Sequence, residues 1–456
     1  MQQSDTFKKW KDLYEAEKEQ IMKDYFQLLQ FQSISSENHP DGYSCAKYLD
    51  KYLQDMGLET QNWQTDTYPI IFAQSKVKDS NLPTILFYHH YDVQPVEPID
   101  EWKSSPFEPS VREGKVYARG AQDNKGQLSY SLAALKAFLK AYPNPGFRIK
   151  LCIEGEEECG SPGLQKLALE KAKQLRADSM LIVDLGLASK DQASISLGVR
   201  GLVTMELKVR GSVSDLHSGS HGGLVYNPLH ALCQCLAKMR DDKGRILVPG
   251  FYDDIAAGDG EELFSFDFDR KDYESEFGPA IGGELDFEAQ KRRTIRPTLE
   301  INGLWGGHCG QGFKTVIPAY AHAKLSCRLV PGQEPQKIGS LVRDYFLSLL
   351  PKGLEAEFIV HEGGGRALRS SPDSSIAKIV KETYEELFAS PCQYTLEGGS
   401  IPISVDLASA SKADVLFMGY GLDSDQIHAP NEHFGLDRFE KGFLTIARIL
   451  ERFGQS

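Results

Sequence analysis

Apolar residues recur at helical spacing from Thr6 to Gln30 and again from Ser44 to Met56, where Gly57 ends the run, so both segments are expected as amphipathic helices. Pro83 to Val93 is different: it is one continuous apolar run that closes on charged residues, the pattern of a central strand buried on both faces. Leu128 to Tyr142 reads as a helix, and Phe147 to Ile153 and Ser179 to Val183 as two more short buried strands. A further helix is expected between those strands over Gly163 to Leu175. Strand and helix alternating in this way predict an α/β domain with a central sheet flanked by helices.

After Gly198 the pattern changes. Leu202 to Arg210 and Ala319 to Leu329 alternate apolar with polar, as strands with one exposed face do, and a short strand fits Ala356 to His361. Helices fit Asn227 to Met239, with Asn227 as its cap, and Pro335 to Leu350. These elements make a smaller α+β domain. Between its halves Asp241 to Arg296 is too long for a simple loop and is expected to carry short elements of its own. From Ser374 the earlier style resumes, with a buried strand at Asp414 to Met418 and a last helix at Arg438 to Phe453. The expected organisation is therefore a first domain built from 1–198 and 367–456, interrupted by a second over 199–366.

Bulk properties narrow the function. At 456 residues the chain exceeds what one core ordinarily fills. A net charge of -13 repels phosphate backbones and anionic lipid, which argues against a nucleic-acid partner and against a membrane surface. Met1 to Glu19 is charged and polar, and no apolar run reaches the roughly 18 residues of a membrane span, so a cytoplasmic protein is expected. The eight cysteines lack a repeating spacing and are read as reduced, buried thiols; Cys233 and Cys235, two apart in a helical run, should diverge rather than chelate.

Candidate chemistry collects at the ends of the buried strands. His90 and Asp92 lie two apart where the first strand ends, so an imidazole and a carboxylate that can orient it leave the same face. Asp123 precedes a helix between Gly120 and Gly126, where it could cap the helix or serve as a rigidly held metal carboxylate. Glu154, Glu156, Glu157 and Glu158 follow the second strand directly, and charges so close repel unless a cation is present. Asp184 ends the third strand, and His428 follows the strand-and-loop segment Val415 to Ile427. In an α/β sheet such strand ends meet at one edge.

Four segments together carry a resemblance. Tyr88-His89-His90-Tyr91-Asp92-Val93-Gln94-Pro95, Arg119-Gly120-Ala121-Gln122-Asp123-Asn124-Lys125-Gly126, Glu154-Gly155-Glu156-Glu157-Glu158-Cys159-Gly160-Ser161 and Glu397-Gly398-Gly399-Ser400-Ile401-Pro402 resemble the co-catalytic metallopeptidases that include aminoacylase, glutamate carboxypeptidase and carnosinase. The likeness is closest to the cytosolic dipeptidase branch and runs from about Tyr43 to the final helix.

The resemblance implies two divalent ions, zinc or manganese, bridged by Asp123, with His90 and Asp184 on one and Glu158 and His428 on the other. It implies Glu157 as the general base, Asp92 as the partner of His90, and a cis peptide bond between Asp123 and Asn124. Glu156 stands where the dipeptidases often have Met, a departure that bears on which acids of the run take these roles. The second domain is similar to a ferredoxin-like lid and dimerisation domain. His217 would then reach the neighbouring subunit's site in a homodimer, and Arg328, Thr315, Gly399 and Ser400 would bind substrate, Arg328 through its carboxylate. The implied activity is hydrolysis of dipeptides with a free carboxyl terminus. N-acyl amino acid deacylation, carboxypeptidase action and a non-catalytic binding homologue are the alternatives. A nucleotide-binding α/β protein would need a Gly-rich phosphate loop after the first strand, and the sequence has none.

Overall fold

The computed structural model describes residues 5–77, 79, 81–255, 269–361, 364–399 and 401–455. They form two compact units, one of Met1–Gly198, Ser370–Thr395 and Ile403–Ser456, the other of Val199–Arg369 and Leu396–Pro402.

The first unit is built on a mixed sheet. Its middle four strands, in spatial order Arg148–Glu154, Thr84–His90, Ser179–Val183 and Asp414–Met418, run parallel. Ile70–Gln74 and then Glu59–Trp63 extend one side antiparallel, and Ser194–Val199 joins the other side antiparallel. Thr84–His90 and Ser179–Val183 are buried at every residue, which is why they read as unbroken apolar runs. Helices Asp5–Leu29, Lys125–Ala141 and Leu436–Phe453 pack on one another, with Tyr14 against Phe443 and Tyr25 against Phe439. Each such buried aromatic contributes about 1.5–3 kcal/mol, so this helical layer fixes the sheet beneath it.

Two details differ from expectation. The helix expected over Gly163 to Leu175 is two short ones, Pro162–Leu167 and Ala172–Leu175, separated by a turn that leaves Leu169 exposed. Glu59–Trp63 was not apparent as a strand because only Trp63 is buried, so it has no apolar alternation to show.

In the second unit the antiparallel strands lie in the order Thr298–Gly306, Tyr320–Leu329, Gly201–Arg210 and Glu355–Val360. With helices Pro228–Ala237 and Pro335–Leu349 inserted, the chain order is β-α-β-β-α-β, the ferredoxin-like arrangement. Val203, Met205, Leu207 and Val209 alternate inward and meet Ala321, Ala323, Leu325 and Cys327 in one core with Leu232, Val342 and Phe346. Asn227 caps its helix through Leu229 N–H at 2.9 Å. Within the expected elaboration, short helices occur at Arg270–Phe277 and Ala289–Thr294, and 256–268 lie outside the described residues.

All eight cysteines are free; Cys45, Cys152, Cys235, Cys327 and Cys392 are buried, but Cys159, Cys233 and Cys309 are exposed, contrary to the expectation of uniformly buried thiols. Those three sit on turns or an outward helix face rather than on core positions. No helix among the described residues is long and apolar enough to cross a membrane.

Candidate metal centre

The carboxyl ends of the parallel strands deliver the side chains. His90 is the last residue of its strand, Asp184 follows Ser179–Val183, and Arg148–Glu154 leads into a single 3-10 turn, Glu157–Cys159. Asp123 lies just ahead of the helix Lys125–Ala141, and His428 sits with φ 60° in the loop after Asp414–Met418. Parallel strands open their carboxyl ends onto one crevice, so residues over 300 positions apart in sequence meet there.

Asp123 divides its two oxygens between two clusters. Its Oδ1 is 3.1 Å from His90 Nε2, which is also 3.4 Å from Asp184 Oδ1. Its Oδ2 is 2.9 Å from His428 Nε2, which is also 3.4 Å from Glu158 Oε2. In each of the two trios, His90–Asp123–Asp184 and Asp123–Glu158–His428, the candidate ligand atoms lie within 4.8 Å of one another. The helix that follows has Asn124, not Asp123, at its cap position, which leaves the Asp123 carboxylate free of capping.

Asp92 ties this arrangement together. Its carboxylate is 3.3 Å from His90 Nδ1 and accepts the backbone N–H of Glu157 at 3.2 Å and of Glu158 at 3.0 Å. One buried acid thus orients both an imidazole and the turn that carries two further carboxylates. The Asp123–Asn124 peptide bond is cis. The Asn124 amide donates to Asp184 Oδ1 at 2.5 Å and to Val183 O at 2.8 Å, and its oxygen lies 3.0 Å from His89 Nδ1.

The acidic run splits by partner. Glu156 is buried and accepts from the Thr65 hydroxyl at 2.7 Å, Gly163 N–H at 2.8 Å, Thr67 N–H at 3.2 Å, and the Thr67 hydroxyl. Glu154 is buried and accepts from Tyr88 Oη at 2.5 Å and Ser161 Oγ at 2.9 Å. Glu157 and Glu158 instead face other acids. Burial pushes the Glu157 carboxyl well up, and although His90 opposes this, Asp184, Asp123 and Asp92 add to it. Burial and then Asp123 do the same to Glu158.

Histidines feel the opposite field. Burial would lower His90, but Asp184, Asp123 and Asp92 carry it well above the usual imidazole range. Burial likewise opposes His428, yet Asp123 and Glu158 raise it to about 9. Oxygen and imidazole donors, converging around a carboxylate that faces both ways and short of positive charge, fit two hard or borderline divalent cations.

The other expected residues belong to the second unit. His217 is exposed on the short strand Leu216–His217, opposite Val316; its Nδ1 accepts from Gly219 N–H at 3.0 Å, and Thr315 O accepts from Ser218 N–H at 3.0 Å. Arg328 is half-buried between Thr298 and Leu202. Burial and the charge of Arg328 lower the nearby Arg200 guanidinium to about 10, and the backbone N–H of Arg200 donates to Gly399 O at 2.9 Å. Ser400 lies outside the described residues. Three residues around the trios escaped the sequence reading as participants: Asn124, Gln94, which donates to Glu158 Oε2 at 2.8 Å, and Glu432. The first two stand in the segments that carry the resemblance; Glu432 has no signal beyond its place four residues after His428.

Comparison with known proteins agrees with this geometry. The family described as "Peptidase family M20/M25/M40" matches residues 86–452. The chain is 32% identical over 405 residues to a Cys-Gly metallodipeptidase of Schizosaccharomyces pombe, covering 85% of this chain and 84% of that one. Among solved structures it is similar to the Saccharomyces cerevisiae di-peptidase Dug1p, with TM-score 0.83, 27% identity and 100% of both chains covered. It is also similar to the metallo-carboxypeptidase Sso-CP2 of Sulfolobus solfataricus, with TM-score 0.86, 31% identity, and 96% of this chain and 99% of that one covered.

Proposed function

This chain belongs to peptidase family M20/M25/M40, and from that premise we propose that it is a dipeptidase whose two divalent ions, zinc or manganese, sit on the paired trios. The observation that carries the reading is Asp123, which turns one carboxylate oxygen toward each trio. His90 and Asp184 then hold one ion, Glu158 and His428 the other. When bound, the ions supply Lewis-acid polarisation of the scissile carbonyl and a water of lowered pKa.

The protein's own groups do the rest. Glu157, in the turn held by Asp92, takes the proton of the attacking water and returns it to the leaving amine. Its raised affinity for protons suits the first half of that exchange, because a carboxylate of ordinary acidity is a weaker base and takes the proton of water less readily. Asp92 keeps the His90 ring and the Glu157 turn in one register. Arg328 pairs with the substrate carboxylate, Thr315, Gly399 and Ser400 line its binding, and His217 of one subunit stabilises the oxyanion at its partner's site in a cytoplasmic homodimer. The dipeptidase names of the relatives and the exposure of His217 support these assignments.

A substrate panel on metal-reconstituted enzyme tests the reading. A dipeptide should be cleaved faster than its C-terminal amide by about one to two orders of magnitude, the worth of a charge-assisted pair at roughly 1.5–3 kcal/mol. Equal rates would remove Arg328 from its role. Preference for an N-acetyl amino acid would move the enzyme to the deacylases, and preference for longer peptides to the carboxypeptidases.

A further inference from the structure

Glu432 is fully buried and meets only donors. Its Oε1 accepts the backbone N–H groups of Gln122 and Asp123, both at 3.0 Å. Its Oε2 accepts Gly120 N–H and Arg119 Nη1, both at 2.9 Å. Burial raises the carboxyl above its ordinary range, but Arg119 and the backbone N–H groups oppose this, and four donors on two oxygens use every lone pair and so favour the carboxylate. The loop that carries the bridging Asp123 is therefore wrapped around one anion.

That anion is supplied by the loop that carries His428. Only Ala429, Pro430 and Asn431 separate the two residues, and Asn431 is itself fixed at φ 65°, its amide donating to Glu101 O at 2.8 Å. The main chain adds a further tie, with Ala118 N–H donating to Glu432 O at 3.2 Å and His433 pairing with Tyr117. Arg119 extends the network by donating through Nη2 to Pro95 O at 2.8 Å, next to Gln94, which holds Glu158. The Asp123 and His428 segments of the second trio thus meet around one buried carboxylate, which is linked to Glu158 only through Arg119, Pro95 and Gln94.

Resting on the dinuclear reading above, we infer that Glu432 is a positioning residue that sets how far His428 stands from Asp123 and so governs occupancy of the second trio. Its side chain is fully buried and acts through the Asp123 loop. Replacing it by glutamine would turn an amide N–H₂ toward backbone N–H groups, opening the Asp123 loop away from His428.

The test uses the full chain, stripped of metal and titrated with Co²⁺ against a competing chelator, with thermal unfolding of the metal-free protein measured alongside. Wild type should take up two ions. In Glu432→Gln, affinity for one of them should fall about 10–100-fold, as loss of such supporting contacts does, with a changed Co²⁺ absorption spectrum. Glu284→Gln, which removes a buried acid paired with Arg296 in the other unit, should leave affinity and spectrum unchanged. Unaltered affinity and spectrum in Glu432→Gln, or an equal loss in Glu284→Gln, would overturn the inference. Should the glutamine variant fail to fold, Glu432→Asp retains the charge but withdraws it by one methylene; the same selective loss is expected, and wild-type affinity overturns the inference. A wild-type chain that binds fewer than two ions would instead sink the dinuclear reading itself.

Discussion

Glu156 and Glu157 are adjacent, yet their surroundings differ completely. Glu156 is matched by donors: two hydroxyls and two backbone N–H groups meet its oxygens, and the charge is absorbed locally. Glu157 faces Asp184, Asp123 and Asp92, with His90 as the opposing charge. A buried acid with its own full set of donors is thus a structural fastener, whereas an acid left among acids awaits a cation or a proton.

The largest test of that contrast is turnover. Glu157→Gln should lower kcat by about two to four orders of magnitude, the usual worth of general acid–base catalysis, while the ion content measured by metal analysis stays at the wild-type value. An active Glu157→Gln beside an inactive Glu156→Gln would reverse the contrast.

Glu154 sharpens it through pH. Burial, reinforced by Asp92, raises this carboxyl from its ordinary 4.5 to about 8, despite hydrogen bonds from Tyr88 and Ser161. Between those values the folded chain keeps a proton that the unfolded chain releases, so stability falls as pH rises from 4.5 to 8 and levels off above. The fall in the metal-free protein should reach at most about 5 kcal/mol. Denaturant unfolding of Glu154→Gln across that range should show a flatter profile than wild type; identical slopes would place the titration elsewhere.

The smallest effect belongs to the fastener. Glu156→Ala strands Thr67 N–H and Gly163 N–H and should cost about 1–3 kcal/mol of stability by chemical denaturation, leaving turnover of the metal-loaded enzyme near wild type.

These contrasts mark what the sequence could and could not reveal. His90, the last residue of a buried strand, Asp92, two residues beyond it, and Asp184 just after another strand were legible because the location of strand ends is a local property. The separate fates of Glu156 and Glu157 were not, since they are decided by Thr65 and Thr67, some 90 positions earlier. Glu432 was invisible for the same reason: its partners at 119–123 lie more than 300 positions away. Glu59–Trp63, a largely exposed edge strand, carries no apolar period, and the break after Leu167 leaves the helical spacing on either side undisturbed. The resemblance supplied roles for Asp123 and His428 that their own surroundings in the sequence did not.

The place of Asp414–Met418 in the sheet bears on synthesis. This late strand lies between Ser179–Val183 and Ser194–Val199, which leave the ribosome more than 200 residues earlier. Until it emerges, the nascent Ser179–Val183 strand has a bare hydrogen-bonding edge, a surface that invites wrong pairing and the attention of chaperones. His428 and Glu432 emerge later still, so a truncated product would retain His90, Asp123 and Asp184 but lack His428, without which the second trio is incomplete. Ribosomal stalling before residue 428 should therefore release chains that remain metal-poor and prone to aggregate, however long they are given to fold.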